Sequence, residues 1–347
     1  MIALELTPRK QAVLKAIVKA YIETGEPVGS KILTELLENA PSSATLRNEM
    51  SELCELGLLH QPHTSAGRIP TVGGFKLYVD SLMSKSELNG DLANNINSAL
   101  KEINCEPEGI PSKAAEILSK LTGLPSIACI ITNRSPRIKR IQLLPIGKSS
   151  MMLLIITDDG RTRNRIFRIN SKFSEETYSC FEEITQNSIK GKTLDTLTKG
   201  YMQSVIAKAG IYSLELMPLF TAVFETTAEI SEKAVHLSGE KALYNISGDE
   251  QTASRIMSLI NRADPMISVL EQIGDGAGVV FGRDTAYSEL FSDTIIAAKF
   301  SGADKYTGYI GVIGPTRLSY EQILPTVEYT AKELTNIMNT AQTDMED

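Results

Sequence analysis

The sequence predicts an α+β protein of several domains, and three observations predict it. Residues 8–56 carry three short amphipathic helical patterns, followed at once by a hairpin signal from Gly57 to Pro70. Runs with strand character stand on both sides of a long helical block. A polar stretch rich in Asn, Ser and Glu, 84–111, lies between the two regions. At 347 residues and 42% hydrophobic content the chain can bury two or three cores.

The N-terminal elements follow from local chemistry. Thr7 can cap a helix that has Pro8 at its first position, where the missing N–H costs nothing. Val13, Ile17 and Tyr21, joined by Leu14, Val18 and Ile22, form a broad apolar stripe. Gly25 ends that helix because it tolerates the left-handed conformation. Ser30 is expected to cap a second helix with Ile32, Leu33, Leu36 and Leu37 facing inward. After the turn Glu38-Asn39-Ala40-Pro41, Ser42 or Ser43 caps a third helix. Its Leu46, Met50, Leu53 and Leu56 point to the core, and Thr45, Arg47 and Asn48 point outward. Gly57 stops it and Leu58 packs back. A polar helix face followed by a ribbon with a Gly-Arg tip is the pattern of a winged helix-turn-helix. In that pattern the helix enters the major groove and the wing meets the backbone or the minor groove.

Duller explanations compete with this reading. An exposed Arg47 is usually just solvated, and Ser42 and Ser43 serve first as helix caps. Cys54, His60 and His63 are close in sequence. They lack a Cys-x-x-Cys pair and a fourth nearby ligand, and Cys54 is expected in the helix core, so no metal is expected. Charge is no advertisement either. The chain carries a net −7, and residues 1–83 hold eight cations against nine anions. Any attraction to an anionic partner must be local, with Lys31, Arg47 and Arg68 on one face and the acids turned away.

The 84–111 stretch reads as a linker, with Leu92, Ile96 and Leu100 marking a helix inside it. A helix over 114–122 precedes strands at 127–132, 138–146, 150–157 and 161–169, with Asp158-Asp159-Gly160 as a hairpin turn. Helical patterns then run from Ser174 to about Ala209 and on through 214–230. Strand character at 235–245 gives way to helix over 250–273. Strands at 277–281, 294–300 and 309–313 and a helix over 320–340 close the chain. Strands before and after a helical block suggest one sheet domain with an insertion.

Several classes are disfavoured. No apolar run approaches the roughly 20 residues of a membrane span, and no signal-like segment precedes Thr7, so a cytoplasmic protein is expected. Cys54, Cys105, Cys129 and Cys180 are scattered and form no disulfide framework. The Gly274–Gly278 run precedes a strand instead of joining a strand to a helix, which argues against a phosphate loop. His236 has no nucleophile in a recognisable setting, so no enzyme, catalytic residue or cofactor is expected. Gly314-Pro315-Thr316-Arg317 could hold an anion near a helix start, although a structural turn is the preferred reading.

Longer blocks carry a family resemblance. Tyr21-Ile22-Glu23-Thr24-Gly25-Glu26-Pro27-Val28-Gly29-Ser30 and Ser43-Ala44-Thr45-Leu46-Arg47-Asn48-Glu49-Met50 resemble the HrcA heat-inducible transcription repressors. So do Gln61 to Thr71 and the distant Gly311-Val312-Ile313-Gly314-Pro315-Thr316-Arg317. The chain departs at Leu318, where the family usually has Met, and at Gly282-Arg283-Asp284, where it tends to Gly-x-Glu. The resemblance implies a winged helix-turn-helix domain at 1–84, and a GAF-like α+β domain at 85–171 and 275–347. It places an inserted dimerisation domain at 172–274. It also implies a homodimer that binds double-stranded DNA at an inverted-repeat operator, the CIRCE element, and represses chaperone operons under control of a GroEL-type chaperonin. Ser43, Thr45, Arg47 and Asn48 are then expected to reach base edges or phosphates, with His63, Thr64, Ser65 and Arg68 acting from the wing. Two other readings stay open: a regulator whose GAF-like pocket binds a small molecule, and a scaffold whose winged helix binds protein.

Overall fold

The computed structural model describes residues 6–84, 88–103, 109–132, 135–147, 150–168, 174–231, 234–247, 249–302 and 306–346. Cys105 and the expected boundary at residue 172 lie outside the described residues. The chain is an α+β protein with several distinct packing units.

The N-terminal unit starts with α1 (Pro8–Thr24), where the Thr7 hydroxyl accepts from Lys10 N and Gly25, at φ 76°, donates its N–H to Tyr21 O. Two short helices follow, α2 (Ser30–Leu36) and α3 (Ser43–Glu55). Asn39, between them, has φ 55°, a left-handed conformation that Asn tolerates better than most side chains. Ser42 is the cap of α3, its Oγ accepting from Thr45 N at 3.2 Å. β1 (Leu59–His60) and β2 (Ile69–Pro70) form the expected antiparallel ribbon, and α4 (Val72–Leu77) runs on into a wider turn over Tyr78–Leu82.

Four expectations about this unit need correction. Gly29, not Ser30, stands before α2, and Ser30 is its first helical residue. Within α2 only Leu33 is fully buried among the apolar side chains, while Ile32 and Leu36 are 47% and 51% exposed. Seven residues make two turns, so a stripe centred on Leu33 leaves its flanks outside. Leu56 is 42% exposed because the helix has ended there, and Leu58 takes the inward place beyond Gly57. Cys54 is only half-buried and packs at the edge of the core.

The rest of the chain holds two sheets, not one. β7 (Val235–Ser238), β3 (Ser126–Thr132), β10 (Tyr306–Pro315), β9 (Asp293–Gly302) and β8 (Ala277–Phe281) are hydrogen-bonded in that order, all antiparallel. β9 shows why these strands read as continuous apolar runs. Ile296, Ala298 and Phe300 face one core, and Ile295 and Ala297 face another. The first core also takes α5 (Gly90–Lys101), α6 (Ile110–Thr122) and α13 (Tyr320–Glu346), and continues into the N-terminal unit. The second is roofed by α10 (Glu240–Ser247), α11 (Glu250–Asn261) and α12 (Ala263–Leu270).

β4 (Ile138–Gly147), β5 (Ser150–Thr157) and β6 (Thr162–Arg168) pair only with one another. One face of that sheet packs on α7 (Glu175–Ile184), α8 (Lys199–Ala207) and α9 (Ser213–Ser231), making a third core from Ile138 to Ile230. Strand partners are chosen by tertiary packing, so alternation could not reveal the split. The expected linker is also more structured than its polarity suggests. Ile96 and Leu100 of α5 are buried, and Asn97 Nδ2 donates to Tyr329 Oη at 2.8 Å.

Candidate nucleic-acid interface

α3 has two chemically different faces. On the inner one Glu49, 5% exposed, accepts from Arg9 Nε at 2.6 Å and from Arg9 Nη2. Lys10 Nζ pairs with Glu52 at 2.6 Å, and that hydrogen bond lifts the ammonium pKa above its ordinary value. Two of the three acids on α3 are thus occupied by α1. The outward stripe is Ala44, Arg47, Asn48, Ser51 and finally Glu55. Its first two turns carry a guanidinium and no carboxylate.

Arg47 is exposed but oriented, because its Nε donates to Ser30 Oγ at 3.2 Å. Asn48 is exposed beside it. Ser43 and Thr45 sit differently from the outward positions expected of them, both being half-buried. Ser43 Oγ lies 2.8 Å from Ser30 Oγ, tying α2 to α3, and the Thr45 hydroxyl is 3.0 Å from Ser42 Oγ at the cap. Ala44 and Ser51 were missed from sequence, although their spacing from Arg47 and Asn48 puts them on the same stripe.

The wing is a shaped loop. Gln61 Nε2 donates to Thr64 O and Ala66 O at 3.0 and 3.1 Å, and His63 Nδ1 is 3.2 Å from Ser65 Oγ. His63, Thr64 and Ser65 are exposed at the tip. Arg68 belongs to the stem. It is half-buried, its N–H and carbonyl bond both ways to Val28 at 2.9 Å, and its Nη1 donates to Ala66 O at 3.4 Å. Gly67 permits this approach, since a Cβ there would lie 2.4 Å from Val28 O.

Cations sort into two groups. Arg9, Lys10, Lys19 and Lys76 are ion-paired, and Lys15 donates to Ser84. Lys31, Arg47 and Arg68 have no carboxylate partner among the described residues. All three gather around the start of α2: Lys31 within it, Arg47 through Ser30, and Arg68 through Val28. Among the described residues no His, Cys, Asp and Glu cluster could hold a metal, and no helix is long and apolar enough to cross a membrane.

The unit is fastened to the sheet domain by Glu321, which receives Lys19 Nζ at 3.0 Å and the Tyr78 hydroxyl at 2.9 Å. Burial works to raise the Glu321 pKa, but Lys19 and Tyr78 outweigh it and hold the carboxyl below its usual range. The folded pKa is depressed, so this stabilisation is complete above the ordinary carboxylate pKa and lost as pH falls through the lower value. Glu321→Gln should lower stability at neutral pH by about 1 kcal/mol after allowing for solvent screening. The gap from the parent should close below roughly pH 4. Urea melts at pH 7 and in acid check it; an equal gap at both pH values would remove the charge from this role.

The chain belongs to the HrcA family. Residues 108–324 match the family model described as HrcA protein C terminal domain. The heat-inducible transcription repressor HrcA of Acetivibrio thermocellus is 30% identical over 329 residues, covering 93% of this chain and 94% of that one. The protein of the same name from Caldanaerobacter subterraneus is 28% identical over 341 residues, covering 98% and 99%. A crystal structure of a hypothetical protein, solved at 2.2 Å, shares the fold with a TM-score of 0.66. It is 23% identical and covers 97% of this chain and 100% of its own.

Proposed function

From the membership of this chain in the HrcA family we propose that it is a heat-inducible transcription repressor gripping operator DNA through α3 and the Gln61–Arg68 wing. The observation that carries this site is the α3 surface itself. Two of its three acids pair with α1, leaving only Glu55 at the far end of the outward stripe, while Arg47 stands out with Lys31 and Arg68 as cations without a carboxylate partner among the described residues. We assign Arg47 and Asn48 to base edges or phosphates, and His63, Thr64, Ser65 and Arg68 to the backbone beside the wing. Ser43 and Thr45 contribute by placing the start of α3, where backbone N–H groups favour phosphate. In this reading residues 1–84 are a winged helix-turn-helix domain and the five-stranded sheet with its helices is GAF-like. We draw the inserted unit at about 138–230, because those residues share one core, instead of at 172–274.

A two-fold operator asks for a two-fold protein. The inserted sheet supplies a surface suited to that, since its face away from α7–α9 carries an apolar strip between the polar Gln142, Asn164 and Arg168. Leu144, Met152 and Ile166 lie side by side across the three strands, and Ile166 is 62% exposed. Met152→Glu should give a monomer by light scattering and lower operator affinity at least about tenfold, the cost of losing one of two linked half-sites. A stable dimer in that variant would move the interface elsewhere.

The operator is proposed to be the CIRCE inverted repeat and the modulator a GroEL-type chaperonin. The protein titrated against that repeat and a scrambled duplex at two salt concentrations, with and without chaperonin, tests both. Operator preference of roughly three orders of magnitude or more supports the reading. Equal, salt-steep binding to both duplexes would reduce it to non-specific attraction. An active fraction untouched by chaperonin would remove that partner.

A further inference from the structure

The junction between the N-terminal unit and the sheet domain leaves a cleft of about 740 Å³. Its walls come from both units: Tyr21, His60 and Phe75 on one side, Arg283, Phe291 and Arg317 on the other. Two guanidinium groups and an imidazole line it, and no carboxylate does, in a chain of net charge −7. Arg283 lies over the Phe291 ring at 4.5 Å from its centroid, and Phe291 is 52% exposed to the cleft and solvent. Arg317 spends one hydrogen, from Nη1 to Ile22 O at 3.4 Å, on the C-terminal end of α1. Neither arginine has a carboxylate partner among the described residues.

We propose that this interdomain cleft binds a small organic anion, with its charged group held by Arg283 and Arg317 and its apolar body against Tyr21, Phe75 and Phe291. The volume falls within the roughly 300–1,000 Å³ range of small-molecule sites. A planar guanidinium gives paired donors to phosphate or carboxylate oxygens, and a guanidinium already stacked on a ring loses little freedom in doing so. The site is separate from the expected pocket within the sheet domain and from the Arg47 surface. Because its walls belong to two units, an occupant would favour one placement of the wing stem over others, and DNA affinity would shift by the same coupling.

The test uses the full-length protein without DNA, so its outcome is independent of the operator. Phenyl phosphate, inorganic phosphate and phenol are titrated calorimetrically at low salt. Phenyl phosphate should bind saturably and at least about tenfold tighter than either fragment, since only it engages both the charge and the ring surface. Arg283→Met and Arg317→Met should each weaken it about tenfold, while Arg47→Ala and Lys113→Met should leave it unchanged. Among the described residues the Arg283 side chain makes only a ring contact, so its variant reads the site even if Arg317→Met loosens the junction. Binding no tighter than that of inorganic phosphate, unaltered in Arg283→Met, or lost in Arg47→Ala, would overturn the proposal.

Discussion

Arg47→Ala should abolish most of the preference for operator over scrambled DNA while the protein stays folded and keeps the parent's oligomeric state. The side chain is exposed, so its removal leaves no cavity, and the bond it gives up is a single one to Ser30 Oγ. That bond matters for function because it orients the guanidinium and leaves both terminal nitrogens free. An Arg paired with a guanine edge is worth about 1–3 kcal/mol of discrimination. In the proposed symmetric dimer the loss occurs at both half-sites, giving about 2–6 kcal/mol, or roughly 30-fold to 20,000-fold. Operator titration together with size-exclusion chromatography checks it. Unchanged operator affinity would take Arg47 out of the site. A uniform drop on both duplexes would make it a phosphate contact instead of a reader.

What was legible in the sequence is what local chemistry decides. Thr7, Gly25, Ser42 and Gly57 act where their types place them, because a cap or a left-handed turn needs only its immediate neighbours. The Asp158-Asp159-Gly160 turn holds for the same reason, with Gly160 at φ 88°. Packing partners were not legible. Nothing in the alternation of residues 138–168 tells which strands they join, and although Leu92, Ile96 and Leu100 mark a helix within 84–111, nothing there tells that Ile96 and Leu100 pack into the core. In the candidate site, the outward places of Arg47 and Asn48 on α3 followed from helical spacing, and that of Thr45 did not. Ser43 did not, since its bond to Ser30 depends on how α2 crosses α3. The junction was also hidden, because Tyr78 and Glu321 meet across 243 positions of chain.

Gly67→Ala should be the most damaging methyl group that can be added to the wing. The new Cβ would stand 2.4 Å from both the carbonyl carbon and oxygen of Val28 and 2.8 Å from the Pro27 carbonyl carbon. These are backbone atoms, which cannot rotate away as a flexible side chain would. The two 2.9 Å bonds between Arg68 and Val28 must therefore open, and the stem of the wing leaves the segment before α2. Overpacking of this kind costs about 1–3 kcal/mol, and here it also displaces Arg68 from the cationic group it forms with Lys31 and Arg47. Operator affinity should fall by about tenfold or more, with the salt slope smaller by roughly one for each half-site that loses its phosphate contact. Gly29→Ala, only one residue from Val28, is the control. A Cβ there meets nothing within 4 Å, and φ is −92°, so it should leave binding near that of the parent, with at most about 1 kcal/mol lost for Ala in place of Gly at the start of α2. If the two variants bound operator alike, the contact between wing and α2 would be a packing feature alone. DNA recognition would then rest on α3 without the wing.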